Sequence, residues 1–192
     1  MVYFIIRSKF LYFVVFCLTF TITSCKKDMA THLQEMYGKE IVLDYSRMEC
    51  VDDYSDSCHS LNIDKNYKLV VYFDSLECMS CVASRLHNWD KFIKQIENQH
   101  PKINVVFIFS PQLNLYEEVK GAILFQKFKY PIWMDKNHEF INKNLDVIPE
   151  EVYYHTFLIN NKNQIIFVGD PRRTSELKRL FYVSIEKDMS DS

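Results

Sequence analysis

Two adjoining stretches with different hydrophobic periods lie near the middle of the chain. The stretch 68–73 begins with Lys68 and continues as an apolar run that is too short for a globular helix and rich in Val, Tyr and Phe, which predicts a buried strand. After Cys81, apolar residues recur at steps of three and four, which predicts an amphipathic helix packed on a sheet: Val82, Leu86, Trp89, Phe92, Ile93 and Ile96. Cys78 and Cys81 therefore fall where the strand ends and the helix begins.

The rest of the chain alternates strand and helix patterns. Strands are predicted at 102–109, 131–134, 153–160 and 164–168, and helices at 114–128, at 138–144 and after Thr174, a good N-cap residue. Because a helical crossover joins the first two strands, we expect them to be parallel neighbours. Residues 40–51 alternate weakly and predict an edge strand or hairpin. The fold class is α/β, a central mixed β-sheet with helices on both faces and an extra N-terminal strand or hairpin.

The N-terminus has the pattern of a bacterial lipoprotein export signal. Arg7 and Lys9 make it basic, an apolar core of eleven residues runs from Phe10 to Phe20, and Ile22-Thr-Ser-Cys25 has the order that lipoprotein processing recognises. The alternative is an uncleaved transmembrane anchor, but the core falls short of the roughly 20 residues that span a bilayer. We expect residues 1–24 to be a cleaved signal peptide, 25–39 a tether with a short helix, and 40–188 a single domain.

Charge indicates no nucleic-acid partner. The formal net charge is −2, and removing the signal, which contains two basic and no acidic residues, makes it −4. The Lys and Arg residues are scattered among acids, as on an ordinary solvated surface.

The spacing of Cys78 and Cys81 predicts redox chemistry. Unpaired backbone N–H groups at a helix N-terminus stabilise a thiolate, so we expect Cys78 to be the more acidic, attacking thiol and Cys81 to resolve the mixed disulfide. The alternatives are a structural disulfide and a metal site. A structural zinc site takes four ligands, and a helix points His87 away from Cys81.

At these residues the sequence resembles the thioredoxin superfamily, most closely its exported, TlpA-like thiol–disulfide oxidoreductase lipoproteins. The resemblance includes Tyr130-Pro-Ile-Trp-Met-Asp135 and the residues from Thr156 to Gly169. It implies a thioredoxin-like fold and lipidation of Cys25 by diacylglycerol and an acyl chain such as palmitate, with no other cofactor. Glu77 stands where the family has Trp, Met79-Ser80 replaces Gly-Pro, and Tyr154 or His155 takes the cis-proline position.

Two charged neighbours are expected to tune the cysteine pair. Glu77 places a carboxylate beside Cys78 and raises the pKa of that thiol, unless its side chain turns outward to solvent. Arg85 lies one helical turn beyond Cys81 and either steadies the thiolate or only lies at the rim of the packed face. Many thioredoxins have a buried acid at the position of Tyr72, a role that Asp74 could take.

The resemblance also places the loop Tyr154-His155-Thr156 opposite the cysteines, where it would face a client. A histidine there would be an acid–base group, or a third ligand with Cys78 and Cys81 for a soft metal such as Cu(I), with Met79 as weak support. The alternative is a strand-end histidine pointing to water.

Cys50 and Cys58 flank a polar loop. A disulfide between them would close a nine-residue ring and add roughly 2.5 kcal/mol of stability. Two buried, unpaired thiols are the alternative.

Taken together, the sequence predicts a lipid-anchored protein of the bacterial cell envelope, on the extracytoplasmic side of a membrane. The expected activity is thiol–disulfide exchange with client proteins, as a reductant or isomerase-like helper, with a membrane thiol reductase as electron donor. A copper-binding chaperone or a non-catalytic lipoprotein with the same fold is the alternative.

Overall fold

The computed structural model describes residues 29–51, 67–75 and 77–191. The chain divides into two compact units, Met1–His32 and Leu33–Ser192. The predicted signal peptide, Cys25 and Cys58 lie outside the described residues, and what is expected of them stays a prediction.

In the described residues, six strands form one mixed sheet in the order β1-β4-β3-β2-β5-β6. Their bounds are Glu49–Val51 (β1), Tyr67–Phe73 (β2), Ile103–Phe109 (β3), Ile132–Met134 (β4), Thr156–Ile159 (β5) and Ile165–Val168 (β6). Strands β2, β3 and β4 are parallel, whereas β1, β5 and β6 each pair antiparallel to their neighbours. The predicted parallel pairing of the first two long strands is confirmed.

Six α-helices accompany these strands in the described part of the chain. Their bounds are Met29–Met36 (α1), Met79–Ala83 (α2), Asp90–Gln99 (α3), Tyr116–Phe125 (α4), Glu139–Lys143 (α5) and Ser175–Asp191 (α6). Single 3-10 turns occur at Tyr45–Arg47, Leu86–Trp89, Leu113–Leu115 and Val152–Tyr154. Thr174 caps the last helix as predicted, because its Oγ1 accepts a hydrogen bond from the Leu177 N–H at 3.1 Å.

Alternating side chains of the central strands supply two separate cores. Leu69 and Val71 of β2 face a core that is completed by residues of α2, α3, α4 and α6. Val70 and Tyr72 face the opposite core, with α5 and the end of α1. Helices therefore cover both faces of the sheet, and the thioredoxin-like α/β fold expected from the sequence is confirmed.

The long helix predicted after Cys81 is interrupted. Its predicted apolar residues are all buried, but the helix stops at Ala83, passes through a 3-10 turn and resumes at Asp90. In a continuous helix the Cys81 carbonyl would accept from the Arg85 N–H. Here it accepts from Ser84 Oγ and Arg85 Nε, both at 2.9 Å, while the Arg85 N–H donates to Val82 O. Side chains thus satisfy the carbonyl and allow the backbone to tighten.

Two further boundaries differ from the predictions. The helix predicted to 128 ends at Phe125, and Lys127 adopts a positive φ of 49°. The segment 40–51 reaches both edges of the sheet: β1 pairs with β4, while Glu40 forms an isolated bridge with Gln164 beside β6.

Candidate active site

Cys78 and Cys81 form an exposed disulfide beyond the carboxyl end of β2. Cys78 is the N-cap of α2, and its carbonyl accepts from the Val82 N–H at 2.9 Å. The two Cα atoms are 5.2 Å apart, and both residues are exposed. An incoming thiolate can therefore reach this disulfide.

Glu77 does not turn outward to solvent. The residue is half-buried, and its Oε1 is buried without a hydrogen-bond partner in the described part of the chain. Burial raises the pKa of this carboxyl to about 7, with a smaller contribution from the charge of Asp74, while Arg85 acts in the opposite direction. Glu77 is therefore an acid that titrates near neutral pH directly beside Cys78.

The Arg85 guanidinium is tied to the backbone next to the cysteines. Its Nε donates to the Cys81 carbonyl, and the side chain is exposed. This bond holds the guanidinium next to the cysteine pair through its Nε.

The loop at 154–156 lies at the same end of the sheet as the cysteines. Thr156 pairs with Val71, and the His155 carbonyl accepts from the Tyr72 N–H at 2.9 Å. The alternative of a histidine pointing to water is wrong, because His155 is only 2% exposed and its Nε2 lies 3.0 Å from the Pro149 carbonyl. Tyr154 is likewise buried, at 5% exposure. Of this loop, Thr156 is the residue that remains partly accessible.

Beneath the site, titratable groups cluster around His155. Its Nδ1 lies 3.8 Å from Asp74 Oδ2, and burial lowers the pKa of the imidazole. The centroids of the Tyr72 ring and the His155 imidazole are 5.1 Å apart, and burial raises the pKa of the Tyr72 phenol. Asp74 therefore lies next to His155 near the cysteine-bearing end of β2, and its role as an acid in place of Tyr72 stays a prediction.

The three-ligand alternative of Cys78, Cys81 and His155 is not assembled. Over residues 29–51, 67–75 and 77–191, no group of three or more His, Cys, Asp and Glu side chains is arranged to hold a metal ion. His87 turns elsewhere, with Nδ1 2.9 Å from Asp90 Oδ2 and Nε2 2.8 Å from the Gln126 carbonyl.

A cleft of about 220 Å³ opens beside Glu77 and Arg85. Its wall includes Trp89, Tyr153 and Thr156, together with Asp170, Arg172 and Arg173 from the turn after β6. The cysteine spacing and the hydrophobic pattern did not indicate that this turn belongs to the site. The signal that could have found it is the run Asp170-Pro-Arg-Arg173, which follows the predicted hairpin with two adjacent cations.

Cys50 lies on β1, opposite Trp133, and takes part in a disulfide. Cys58, its predicted partner, lies outside the described residues, so that pairing stays a prediction.

Comparison with known proteins gives similarity at the level of structure. No protein-family model and no curated protein matches the sequence. The thioredoxin domain of a thiol-disulfide oxidoreductase from Bacteroides vulgatus is similar with 14% identity and a TM-score of 0.48, over 79% of this chain and 96% of that one. StoA from Bacillus subtilis shows 18% identity and a TM-score of 0.41, over 62% and 84%. An uncharacterized conserved protein from Geobacillus kaustophilus shows 13% identity and a TM-score of 0.49, over 72% of this chain and 70% of that one.

These similarities are too distant to transfer the role of any residue. The sheet order and the helices on both faces define the class of the protein as a thioredoxin-like α/β domain. Within the described ranges, no helix is both long enough and apolar enough to cross a bilayer.

Proposed function

We propose that this protein is a thiol–disulfide oxidoreductase that exchanges electrons with client disulfides through Cys78 and Cys81. One observation carries the proposal: the two cysteines form an exposed disulfide at the carboxyl end of a central parallel strand. Ligands and substrates of open α/β sheets characteristically bind at this end. A purely structural bridge three residues apart would restrain little chain.

The reaction proceeds through two exchanges of sulfur partners. In the reduced protein, the Cys78 thiolate attacks one sulfur of a client disulfide, which forms a Cys78–client bond and releases the other client sulfur as a thiolate that takes a proton. Cys81, after losing its proton, attacks Cys78 and releases the second client thiol. Two electrons have then passed to the client, and the Cys78–Cys81 disulfide is the oxidised product. A dithiol donor, which we propose is a membrane thiol reductase, restores the reduced pair.

The direction that we favour is reduction of the client. A strong oxidant needs a stabilised thiolate in its reduced form. Here α2 has only five residues, so few aligned peptide dipoles support a thiolate at its start, and Glu77 adds a carboxylate beside it. Both features weaken stabilisation of the thiolate and favour a reducing potential.

We further propose that Cys25 is lipidated and holds the domain on the extracytoplasmic side of a bacterial membrane. The support is the order of residues 22–25 after a short apolar core. Mass spectrometry of the membrane-bound protein should show Cys25 as an acylated first residue, and Cys25→Ser should abolish that acylation. Recovery of an unprocessed chain that retains residues 1–24 would contradict the proposal.

Insulin reduction tests the activity. The reduced domain should catalyse precipitation of the insulin chains in the presence of dithiothreitol, and Cys78→Ser should reduce the rate to that of dithiothreitol alone. Cys81→Ser should instead accumulate a mixed disulfide with the client, because the attacking sulfur remains and the resolving one is gone.

Ser190→Ala is the matched control, since it changes an exposed side chain near the end of α6. Asp188, in the same helical turn, bonds to Tyr67 at the start of β2, and the cysteines lie beyond the other end of that strand. Equal, uncatalysed rates for the unmodified domain and Cys78→Ser would overturn the proposal in favour of a non-catalytic protein with this fold.

A further inference from the structure

A second hollow adjoins the cleft at the cysteine pair. The two spaces have volumes of about 220 and 330 Å³, and Asn88, Arg172 and Arg173 line both. We name the combined surface the cationic groove. It begins at Glu77 and Arg85, next to the cysteines, and ends between α3 and the start of α6 at Lys91 and Lys178.

One ion pair joins two residues that both line the groove. Arg172 donates from Nε and Nη2 to the two carboxylate oxygens of Asp170, at 3.0 and 2.7 Å. The guanidinium also stacks on the Trp89 ring at 3.4 Å from its centroid. Arg172 and Asp170 therefore neutralise each other and hold the turn after β6 against Trp89.

Two other guanidinium groups keep donors available. Arg85 uses only Nε, on the Cys81 carbonyl, and Arg173 contacts the Tyr153 ring at 5.3 Å from its centroid. Among the described residues, no acceptor engages the terminal nitrogens of either side chain. Among the described lining residues, the remaining acid of this part of the groove is Glu77, and burial raises the pKa of its carboxyl.

The far end of the groove has cations and no opposing carboxylate. Its charged lining in the described structure consists of Lys91, Arg172, Arg173 and Lys178. Lys178 Nζ donates to Gln95 Oε1 at 2.6 Å, so it is held by a neutral partner. The first residue of the 17-residue helix α6, Ser175, also lines this end, where the helix dipole adds positive potential. Glu176 pairs with Arg179 at 2.6 Å and does not line the groove.

We propose that the cationic groove binds an acidic polypeptide segment of the client next to its disulfide. The proposal rests on the thiol–disulfide function above and names its substrate class. The whole chain has a net charge of −2. Once the paired Arg172 and Asp170 are set aside, the lining has four cations against one carboxylate, which reverses the local sign. The hollow is walled by Trp89 and Tyr153 and opens at the residue before Cys78, which suits an extended peptide whose disulfide reaches Cys78.

Binding is measured without redox chemistry. The probe is a fluorescent, cysteine-free peptide of alternating Glu and Ser, with a Lys–Ser peptide of equal length as its counterpart. The acidic peptide should bind the oxidised domain with an affinity that falls as the salt concentration rises, whereas the basic peptide should not bind. Arg173→Gln and Lys91→Gln should each weaken binding about threefold and together about tenfold, as expected for exposed charge pairs. Lys162→Gln is the control, because Lys162 is an exposed cation in the β5–β6 turn outside the groove.

Turnover separates this inference from the proposed function. Two disulfide-bridged peptides, one with acidic flanks and one with neutral flanks, are reduced by the domain, and the ratio of their kcat/KM values is compared between variants. The ratio should favour the acidic peptide and fall about tenfold in the double variant.

A ratio of one, unchanged in the double variant, would overturn the groove assignment while leaving the function intact. Binding of the acidic peptide without reduction of either substrate would refute the function and leave the groove as a binding site. Tighter binding of a single-stranded oligonucleotide than of the acidic peptide would overturn the choice of polypeptide.

Discussion

Glu77→Gln tests whether a half-buried acid beside the cysteines changes its charge near neutral pH. Its folded pKa of about 7 lies above the ordinary value of 4.5, because the charged form is poorly solvated. A raised acid contributes stability that is fully present below pH 4.5 and is lost as pH rises through 7. Glutamine stays neutral, so the variant should gain stability relative to the unmodified protein as pH rises.

The size of this gain follows from the shift. Raising the pKa of this carboxyl from 4.5 to about 7 corresponds to about 3.4 kcal/mol if the side chain is fully shielded from solvent. Because the side chain is only half-buried, solvent screens part of it, and we expect about 1 to 2 kcal/mol. The measurement is urea unfolding of both oxidised proteins at pH 5 and at pH 8.5. At each pH the free energy of unfolding of the unmodified protein is subtracted from that of the variant, and the two results are compared.

Comparing the variant with the unmodified protein at two pH values removes the contributions of groups that titrate alike in both. His155 is one such group, and the stability it contributes is lost as pH falls because burial lowers its pKa. Glu186→Gln, an exposed acid on α6, is the matched control. A Glu77→Gln difference that is the same at both pH values, or that favours the unmodified protein at pH 8.5, would refute a raised pKa at Glu77.

Two further predictions concern the last helix and the redox potential. Thr174→Ala removes the hydrogen bond that Thr174 Oγ1 accepts from the Leu177 N–H. It should lower the free energy of unfolding, measured by urea or thermal unfolding, by about 1 kcal/mol. An unchanged stability would show that water replaces the cap. The Cys78–Cys81 couple, equilibrated with glutathione buffers, should have a potential nearer the roughly −270 mV of thioredoxin than the roughly −120 mV of a strong oxidant, and a value at the oxidising end would reverse the proposed direction.

The sheet was predictable because its strands have a clear hydrophobic period. Residues 69–73 are apolar, and residues 103–109 are apolar except for Asn104, so the burial of these strands followed from composition and their parallel pairing from the crossover between them. The apolar face from Val82 to Ile96 was also predicted residue by residue. The interruption between α2 and α3 was not, because it depends on where the Ser84 and Arg85 side chains place their donors, which hydrophobic periodicity does not reveal.

The surroundings of the cysteines were less accessible to sequence analysis. His155 lies in the predicted strand 153–160, but its contacts are with Pro149 and Tyr72, which are distant from each other in sequence. The cationic groove likewise combines Arg85 and Lys91 with a turn about eighty residues later in the chain. Contacts between residues so far apart in sequence leave no periodic pattern along the chain, so they become visible only in the folded structure.

The interrupted helix changes which group should control the acidity of Cys78. A continuous helix from Cys78 to Ile96 would have aligned many peptide dipoles behind the thiolate, and Glu77 would have been a minor opposing charge. With α2 reduced to five residues, that support comes mainly from the first-turn N–H groups, while Glu77 remains adjacent and half-buried. As pH rises through about 7, Glu77 becomes charged and opposes ionisation of the thiol over the same range in which free thiols begin to ionise. The proton on Glu77 is therefore the feature of this site that we expect to set its reducing strength.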